Sequence, residues 1–251
     1  MEYDAYSHKG TQRKSNQDYY YMPGAEYSKY GYIMVADGMG GHNAGDLASR
    51  LTVEYVSKYL HKKYTDKVDK KTLMGIIYKS IEGANKRIYA LSKEEDHLDG
   101  MGTTLTLAAF IDNTVYIAHV GDSRCYLIRD KKVKQITRDH SLVQELVDNG
   151  SITPDQMIGH PKKNVITRAL GTEDKIRIDV FEEKLDIGDT ILLCTDGLVN
   201  YVNLDDFIGS TPGDLSLDVL VNTLGDKALD AGGRDDITIV AARYTCHDKE
   251  R

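Results

Sequence analysis

Apolar runs that stop at an acid recur along this chain, and they constrain its fold more than any other feature. Ile33-Met34-Val35-Ala36 ends in Asp37-Gly38-Met39-Gly40-Gly41, Tyr116-Ile117-Ala118-His119-Val120 in Gly121-Asp122, and Ile191-Leu192-Leu193-Cys194-Thr195 in Asp196-Gly197. The order reverses at Asp235-Asp236-Ile237-Thr238-Ile239-Val240, where the acids come first. Short β-branched runs bounded by Gly and Asp have the pattern of strands buried in a core. All these acids share one rim if the fourth strand runs antiparallel to the other three. Crowded carboxylates repel one another and stay ionised only when cations neutralise them. A carboxylate metal cluster at one end of a β core is the expectation.

The rest of the chain narrows the class. It carries 32 basic and 39 acidic side chains, a formal charge of −7, which argues against a nucleic-acid binder with a basic face. No apolar stretch approaches the roughly 20 residues that cross a bilayer. The start, Met1 to Lys9, lacks the apolar centre of a signal peptide, so no membrane partner and a cytoplasmic location are expected. Cys125, Cys194 and Cys246 are far apart with no C-x-x-C pair, and the first two sit in strand-like runs as small hydrophobes.

No proline-rich or serine-rich linker divides the 251 residues, and acids of the suspected cluster run from Asp18 to Asp236, so one domain over 1–251 is expected. Helical spacing predicts two helices. Asp46 to Tyr64 places Leu47, Leu51, Tyr55, Tyr59 and Leu60 on one face; Thr72 to Leu91 does so with Leu73, Ile76, Ile77, Ile81, Ala84, Ile88 and Leu91. A meander follows in Thr104–Ile111, Thr114–Val120, Arg124–Arg129 and Lys132–Ile136, with turns at Asp112-Asn113 and Asp130-Lys131 that demand antiparallel pairing. Residues 139–165, polar and irregular around a short helix from Leu142 to Val147, have the character of a surface flap. Strands near Ile176–Phe181 and Thr190–Cys194, a helix over Leu215–Leu229 and a strand over Ile237–Tyr244 complete an α+β sandwich.

Oxygen ligands without Cys or paired His suit Mg²⁺ or Mn²⁺ better than zinc. His42, in a glycine-rich turn, and His119, in an apolar strand, are read as structural. Two cations sharing a carboxylate can activate water toward a phosphorus centre, and an arginine is the natural fork for the phosphate oxygens. Arg13, five residues before Asp18, is placed to serve, although a basic pair such as Arg13-Lys14 is more often solvated surface.

Eight motifs then occur in order: Arg13-x-x-Asn16-Gln17-Asp18, Val35-Ala36-Asp37-Gly38-Met39-Gly40-Gly41, Gly102-Thr103-Thr104, Val120-Gly121-Asp122-Ser123-Arg124, Asp139-His140-Ser141, Thr167-Arg168-Ala169-Leu170-Gly171, Thr195-Asp196-Gly197 and Gly233-Arg234-Asp235-Asp236-Ile237-Thr238. Over residues 6 to 244 the chain resembles the compact bacterial form of the metal-dependent serine/threonine protein phosphatases of the protein phosphatase 2C type.

The resemblance implies an αββα four-layer sandwich of two mostly antiparallel sheets flanked by helices, with a flap at about 139–165. It implies two Mn²⁺ or Mg²⁺ ions per site, bridged by Asp37, with the Gly38 carbonyl on the second and Asp196 and Asp236 on the first. Asp122 with Asp196 would form a third site. Asp18 would hold metal-coordinated water, and Arg13 would grip the phosphate during direct in-line attack of water. The implied substrates are phosphoserine and phosphothreonine proteins, opposing a bacterial serine/threonine kinase, with the enzyme expected as a monomer. Two positions depart from the eukaryotic pattern: Met39 replaces a histidine proposed there as general acid, and Gln17 stands where an acid is common. Two alternatives stay open, a pseudophosphatase that only binds phosphoproteins and a specialist for one partner-switching regulator.

Overall fold

Residues 32–36 are all fully buried, and their side chains divide by parity. Tyr32, Met34 and Ala36 pack with helical residues, while Ile33 and Val35 pack with residues of a second sheet. A strand covered on both faces has no reason to alternate polar and apolar residues, which is why these runs are continuously apolar. The computed structural model describes residues 1–24, 31–40, 44–65 and 68–245. His42, Gly41 and Cys246 lie outside the described residues.

The strands are β1 (Glu2–His8), β2 (Asp18–Tyr21), β3 (Tyr32–Met39), β4 (Gly102–Thr103), β5 (Leu105–Ile111), β6 (Thr114–Val120), β7 (Arg124–Arg129), β8 (Lys132–Gln135), β9 (Asp179–Lys184), β10 (Thr190–Cys194) and β11 (Ile237–Arg243). One sheet has the order β1-β11-β10-β7-β8, and the other β2-β3-β5-β6-β9 with β4 on the end of β3. Every described pairing is antiparallel. Helices α1 (Ala44–Lys63) and α2 (Lys70–Glu94) cover the second sheet, and α5 (Asp196–Val199), α6 (Leu204–Ser210) and α7 (Leu217–Asp230) cover the first. Two short helices, α3 (Leu142–Asp148) and α4 (Pro154–Ile158), lie in the segment expected to be a flap. This is the expected αββα sandwich.

Three apolar layers hold it together. Between the sheets Ile33, Val35 and Ile117 meet Leu127, Ile191, Leu193 and Val240. Outside one sheet Ile77 and Ile81 of α2 press on Leu105 and Leu107, and outside the other Leu220 and Leu224 of α7 press on Ile237 and Ile239. Each such fully buried side chain contributes roughly 1.5–3 kcal/mol relative to exposure.

The structure corrects several expectations. The meander over 104–136 is not one sheet: β5 and β6 belong to one, β7 and β8 to the other. The crossing takes only Gly121, Asp122 and Ser123, with Gly121 at φ +114, where a Cβ would lie 2.5 Å from Thr104 Cβ. The strand expected at 176–181 starts at Asp179, because residues 171–174 are tied to Asn85 of α2. Gly171 N–H donates to Asn85 Oδ1 at 2.8 Å, and Asn85 Nδ2 donates to the Glu173 and Asp174 carbonyls at 2.9 and 3.1 Å.

The face of α1 is set by small and branched residues, Ala48, Thr52, Val53, Val56 and Leu60, since the helix is pressed against both β3 and α2. Leu47, Leu51, Tyr55 and Tyr59 are only partly buried at its margins. β1, β2, α4, α5 and α6 had no counterpart in the sequence reading. Cys125, Cys194 and His119 are fully buried, the histidine bonded to Thr106 Oγ1 at 2.9 Å and to the Arg138 carbonyl at 3.2 Å, as structural residues should be. Among the described residues no helix is long and apolar enough to cross a membrane.

Candidate metal centre

The acids gather at one end of the sandwich because strand register puts them there. β2 and β3 pair antiparallel with Asp18 directly opposite Asp37. β10 and β11 pair antiparallel with Cys194 opposite Ile239, so Asp196 follows the end of one strand where Asp236 precedes the start of the other. Asp122 sits in the three-residue crossing between the sheets. The sequence placed Asp37 at the end of its strand; β3 in fact continues to Met39, pairing Gly38 with Thr103.

Short polar bonds lock this rim. Asp37 N–H donates to Thr104 Oγ1 at 2.8 Å, and Thr103 Oγ1 donates to the Asp37 carbonyl at 2.9 Å. Thr104 Oγ1 also meets Ser123 Oγ at 2.7 Å, joining the Asp37 strand to the Asp122 turn. Thr195 Oγ1 donates to Asp18 Oδ2 at 2.8 Å while accepting the Thr238 N–H at 3.0 Å. Gln17 N–H donates to Asp236 Oδ2 at 2.9 Å, and its carbonyl accepts the Gly38 N–H at 3.0 Å. A Cβ on Gly38 would meet the Gly45 carbonyl oxygen at 2.0 Å, so only glycine lets β3, Gln17 and the head of α1 close together.

The electrostatics are those of crowded, desolvated acids. Burial first, then Asp196 and Asp139, push Asp122 up to about 8. Burial and then Asp235 push Asp196 to about 6, and Asp236 rises to about 6 chiefly through burial with Asp235 adding. Asp18 and Asp37 are raised too, by burial and then by their neighbours, Asp37 by Asp18, Asp196 and Asp122.

A donor set of this kind fits divalent cations. Asp18 Oδ1, Asp122 Oδ1 and Asp236 Oδ1 are buried without a hydrogen-bond partner, a costly state that a bound cation relieves. Among the described residues no three His, Cys, Asp or Glu side chains close into a ready ion cage. The acids are near enough to raise one another's pKa without converging on one point, which suits ions that keep part of their water.

Arg13 reaches the same rim. Its Nε donates to Asp235 Oδ1 at 2.8 Å and Nη2 lies 2.6 Å from the same oxygen, with the side chain half exposed. Burial works against its charge, but Asp235, Asp236 and Asp37 outweigh that and strengthen it. A cavity of about 250 Å³ opens beside Asp122 and Asp196, walled on the flap side by Met157, Ile158 and Lys163. Asn200 Nδ2 donates to Asp196 Oδ2 at 3.0 Å, and Lys163 Nζ lies 3.5 Å from Asn200 Oδ1.

Every acid singled out from the sequence is therefore on this rim, with Arg13 beside it. Thr103, Thr104, Ser123, Thr195, Asn200 and Asp235 were not assigned roles in advance. Their signal was present, since all but Asn200 lie inside the eight motifs.

Residues 6–231 match the family model described as Protein phosphatase 2C. The chain belongs to the protein phosphatase 2C family. This protein phosphatase 2C is 39% identical over 219 residues to a serine/threonine phosphatase stp of Listeria welshimeri, covering 87% of this chain and 86% of the relative. It is 38% identical over 252 residues to the protein phosphatase PhpP of Streptococcus pneumoniae, covering all of both. Its fold superposes with a TM-score of 0.83 on the catalytic domain of the serine/threonine protein phosphatase PstP in complex with two manganese ions, at 33% identity and 98% coverage of each chain. It is a metal-dependent protein phosphatase, and hence a hydrolase.

Proposed function

We propose that residues 1–251 form one phosphatase domain, with a flap at about 139–165, that hydrolyses phosphoserine and phosphothreonine in proteins and opposes a serine/threonine kinase. The chain is a metal-dependent serine/threonine protein phosphatase. The observation that carries the detailed reading is the trio of buried, unpartnered carboxylate oxygens on Asp18, Asp122 and Asp236, with a cleft opening beside Asp122.

In this reading Asp37, the Gly38 carbonyl, Asp196 and Asp236 would hold two Mn²⁺ or Mg²⁺ ions. Asp122 with Asp196 would hold a third, and Asp18 would orient water at the site. When bound, the cations neutralise the carboxylates, polarise phosphoryl oxygens and supply water activated for direct in-line attack on phosphorus.

The chain's own residues do the rest. Arg13 presents its guanidinium to the phosphate, and Asp235 limits where that guanidinium can swing. Gly38 keeps the backbone close by having no side chain. Flap residues Met157 and Ile158 cover one wall with apolar surface, and Ile158 is 79% exposed and free to meet a peptide. Met39 has no proton to give a leaving alkoxide. A binding-only role finds no support in the site, where each acid expected to hold a cation is present. Action in the cytoplasm, as a monomer, completes the proposal.

The test is hydrolysis of a phosphothreonine peptide by purified protein with Mn²⁺, with Mg²⁺ and with chelator. Turnover with either cation that chelator abolishes supports the reading, and absence of turnover under all three conditions overturns it.

A further inference from the structure

Two of the eight motifs, Asp139-His140-Ser141 and Thr167-Arg168, have no place in the cation or phosphate assignments, yet the first binds the turn that carries Asp122 and the second abuts His140 of the first. His140 grips the Gly121 peptide from both sides. Its backbone N–H donates to the Gly121 carbonyl at 2.7 Å, and its Nδ1 accepts the Gly121 N–H at 2.9 Å. Gly121 is in the left-handed region at φ +114, a conformation that needs holding because the chain changes sheets there. The neighbouring Asp139 takes the other end of the same turn, accepting from Arg124 Nε at 2.9 and 3.0 Å and from Arg124 Nη2 at 2.7 Å. Consecutive residues 139 and 140 therefore strap residues 121 to 124 at both ends.

The imidazole is fixed on its far side as well. With Nδ1 accepting, the ring proton lies on Nε2, which faces Asp179 Oδ2 at 3.3 Å. Arg168 Nη1 donates to Asp179 Oδ1 at 2.8 Å and so holds the acceptor that Nε2 faces; its own 2.9 Å approach to Nε2 sets donor against donor and makes no bond to the protonated ring nitrogen. His119 packs against the ring at 4.7 Å between centroids, and the His140 carbonyl accepts the Thr167 N–H at 2.8 Å. His140 itself is 7% exposed. Asp122, by contrast, has one carboxylate oxygen buried with no hydrogen-bond partner, so its aim is governed by its backbone rather than by side-chain bonds.

We propose that His140 is a positioning residue that aims the Asp122 carboxylate by clamping the Gly121 peptide, and thereby sets the cation affinity of the Asp122–Asp196 limb. This rests on Asp122 holding a cation, as in the function proposed above. Partners that orient metal ligands typically change affinity or activity ten- to a hundredfold when removed.

The experiment compares wild type with His140→Ala, His140→Asn and Asp122→Ala by calorimetric Mn²⁺ titration, alongside the Gly121 amide resonance and melting of the metal-free proteins. An asparagine side-chain oxygen can accept the Gly121 N–H in place of Nδ1. The expected result is that His140→Ala weakens the Asp122-dependent binding step by about tenfold, shifts the Gly121 amide upfield, and lowers kcat on an aryl phosphate with KM unchanged. His140→Asn should restore most of the binding and the amide shift. Wild-type Mn²⁺ binding in His140→Ala overturns the inference. So does an His140→Asn protein that recovers the amide shift and melting but not the cation affinity. Wild-type binding in Asp122→Ala instead removes the assignment beneath it.

Discussion

Asp18 and Asp37 stand directly opposite each other on paired antiparallel strands, a position in which two like charges destabilise a sheet. The pairing persists at the rim because β3 is buried on both faces, and Tyr20 and Tyr21 of the edge strand β2 pack against different apolar clusters, so a one-residue slip would turn a core face outward. The fold thus imposes the repulsion, and cations held at this rim would relieve it.

Stability of the metal-free protein should accordingly fall as pH rises. Asp122 is raised to about 8, and Asp196 and Asp236 to about 6, against roughly 3.9 in an unfolded chain. A raised carboxyl pKa contributes stability that is fully present below the unfolded value and is lost as pH climbs through the folded one. Melting in chelator should therefore be several degrees lower at pH 8 than at pH 5. Added Mn²⁺ should reverse the order, because it binds the ionised carboxylates. Scanning calorimetry at the two pH values checks both signs, and a metal-free melting point that rises toward pH 8 contradicts the electrostatics.

Thr104→Val should weaken both fold and catalysis. It removes the acceptor for the Asp37 N–H and the partner of Ser123 Oγ, in a side chain with no exposure. An orphaned buried donor costs about 1–3 kcal/mol, and for a chain of this size each kcal/mol lowers the melting point by about 2–4 °C. Denaturant unfolding gives the first quantity. Initial rates should show kcat falling more than KM changes, since the bond holds the strand that bears Asp37.

The site was legible in the sequence to the extent that its acids sit where apolar runs stop. Asp122, Asp196 and Asp236 each border a strand and Asp37 lies near the end of one, and strand register did the gathering. Runs buried on both faces announce themselves by unbroken apolarity, as at Tyr32–Ala36. The edge strands do not: β1 is Glu-Tyr-Asp-Ala-Tyr-Ser-His, mostly half-buried, and its pairing with β11 is a long-range fact that no local pattern carries. The change of sheet at Gly121 was hidden for a similar reason, since two close hairpins look alike whether they share a sheet or face each other. The threonines around Asp37 and Asp18 read as ordinary strand residues, and only the folded geometry shows their hydroxyls bonded to acid backbones and carboxylates.

Arg13→Ala should chiefly raise KM for a phosphopeptide, by roughly tenfold or more, with a smaller change in kcat, because a guanidinium on the phosphate serves ground and transition states alike. Asp235→Asn should act in the same direction more weakly, since it frees the guanidinium without deleting it. Steady-state kinetics on both variants provide the check. An unchanged KM in Arg13→Ala would remove that residue from the phosphate site.

The central claim is that the carboxylates on this rim hold the cations that hydrolysis requires. It is tested most directly by titrating Mn²⁺ into metal-free wild type and Asp37→Ala by calorimetry, with phosphothreonine hydrolysis measured in the same samples. Wild type should bind Mn²⁺ and turn over in step with occupancy. Asp37→Ala should keep its fold, melt no lower without metal, and lose both tight binding and turnover by a factor of about a thousand or more, the scale on which removal of a principal catalytic group acts. Undiminished Mn²⁺ binding or turnover in Asp37→Ala would contradict the assignment of this rim as the metal centre.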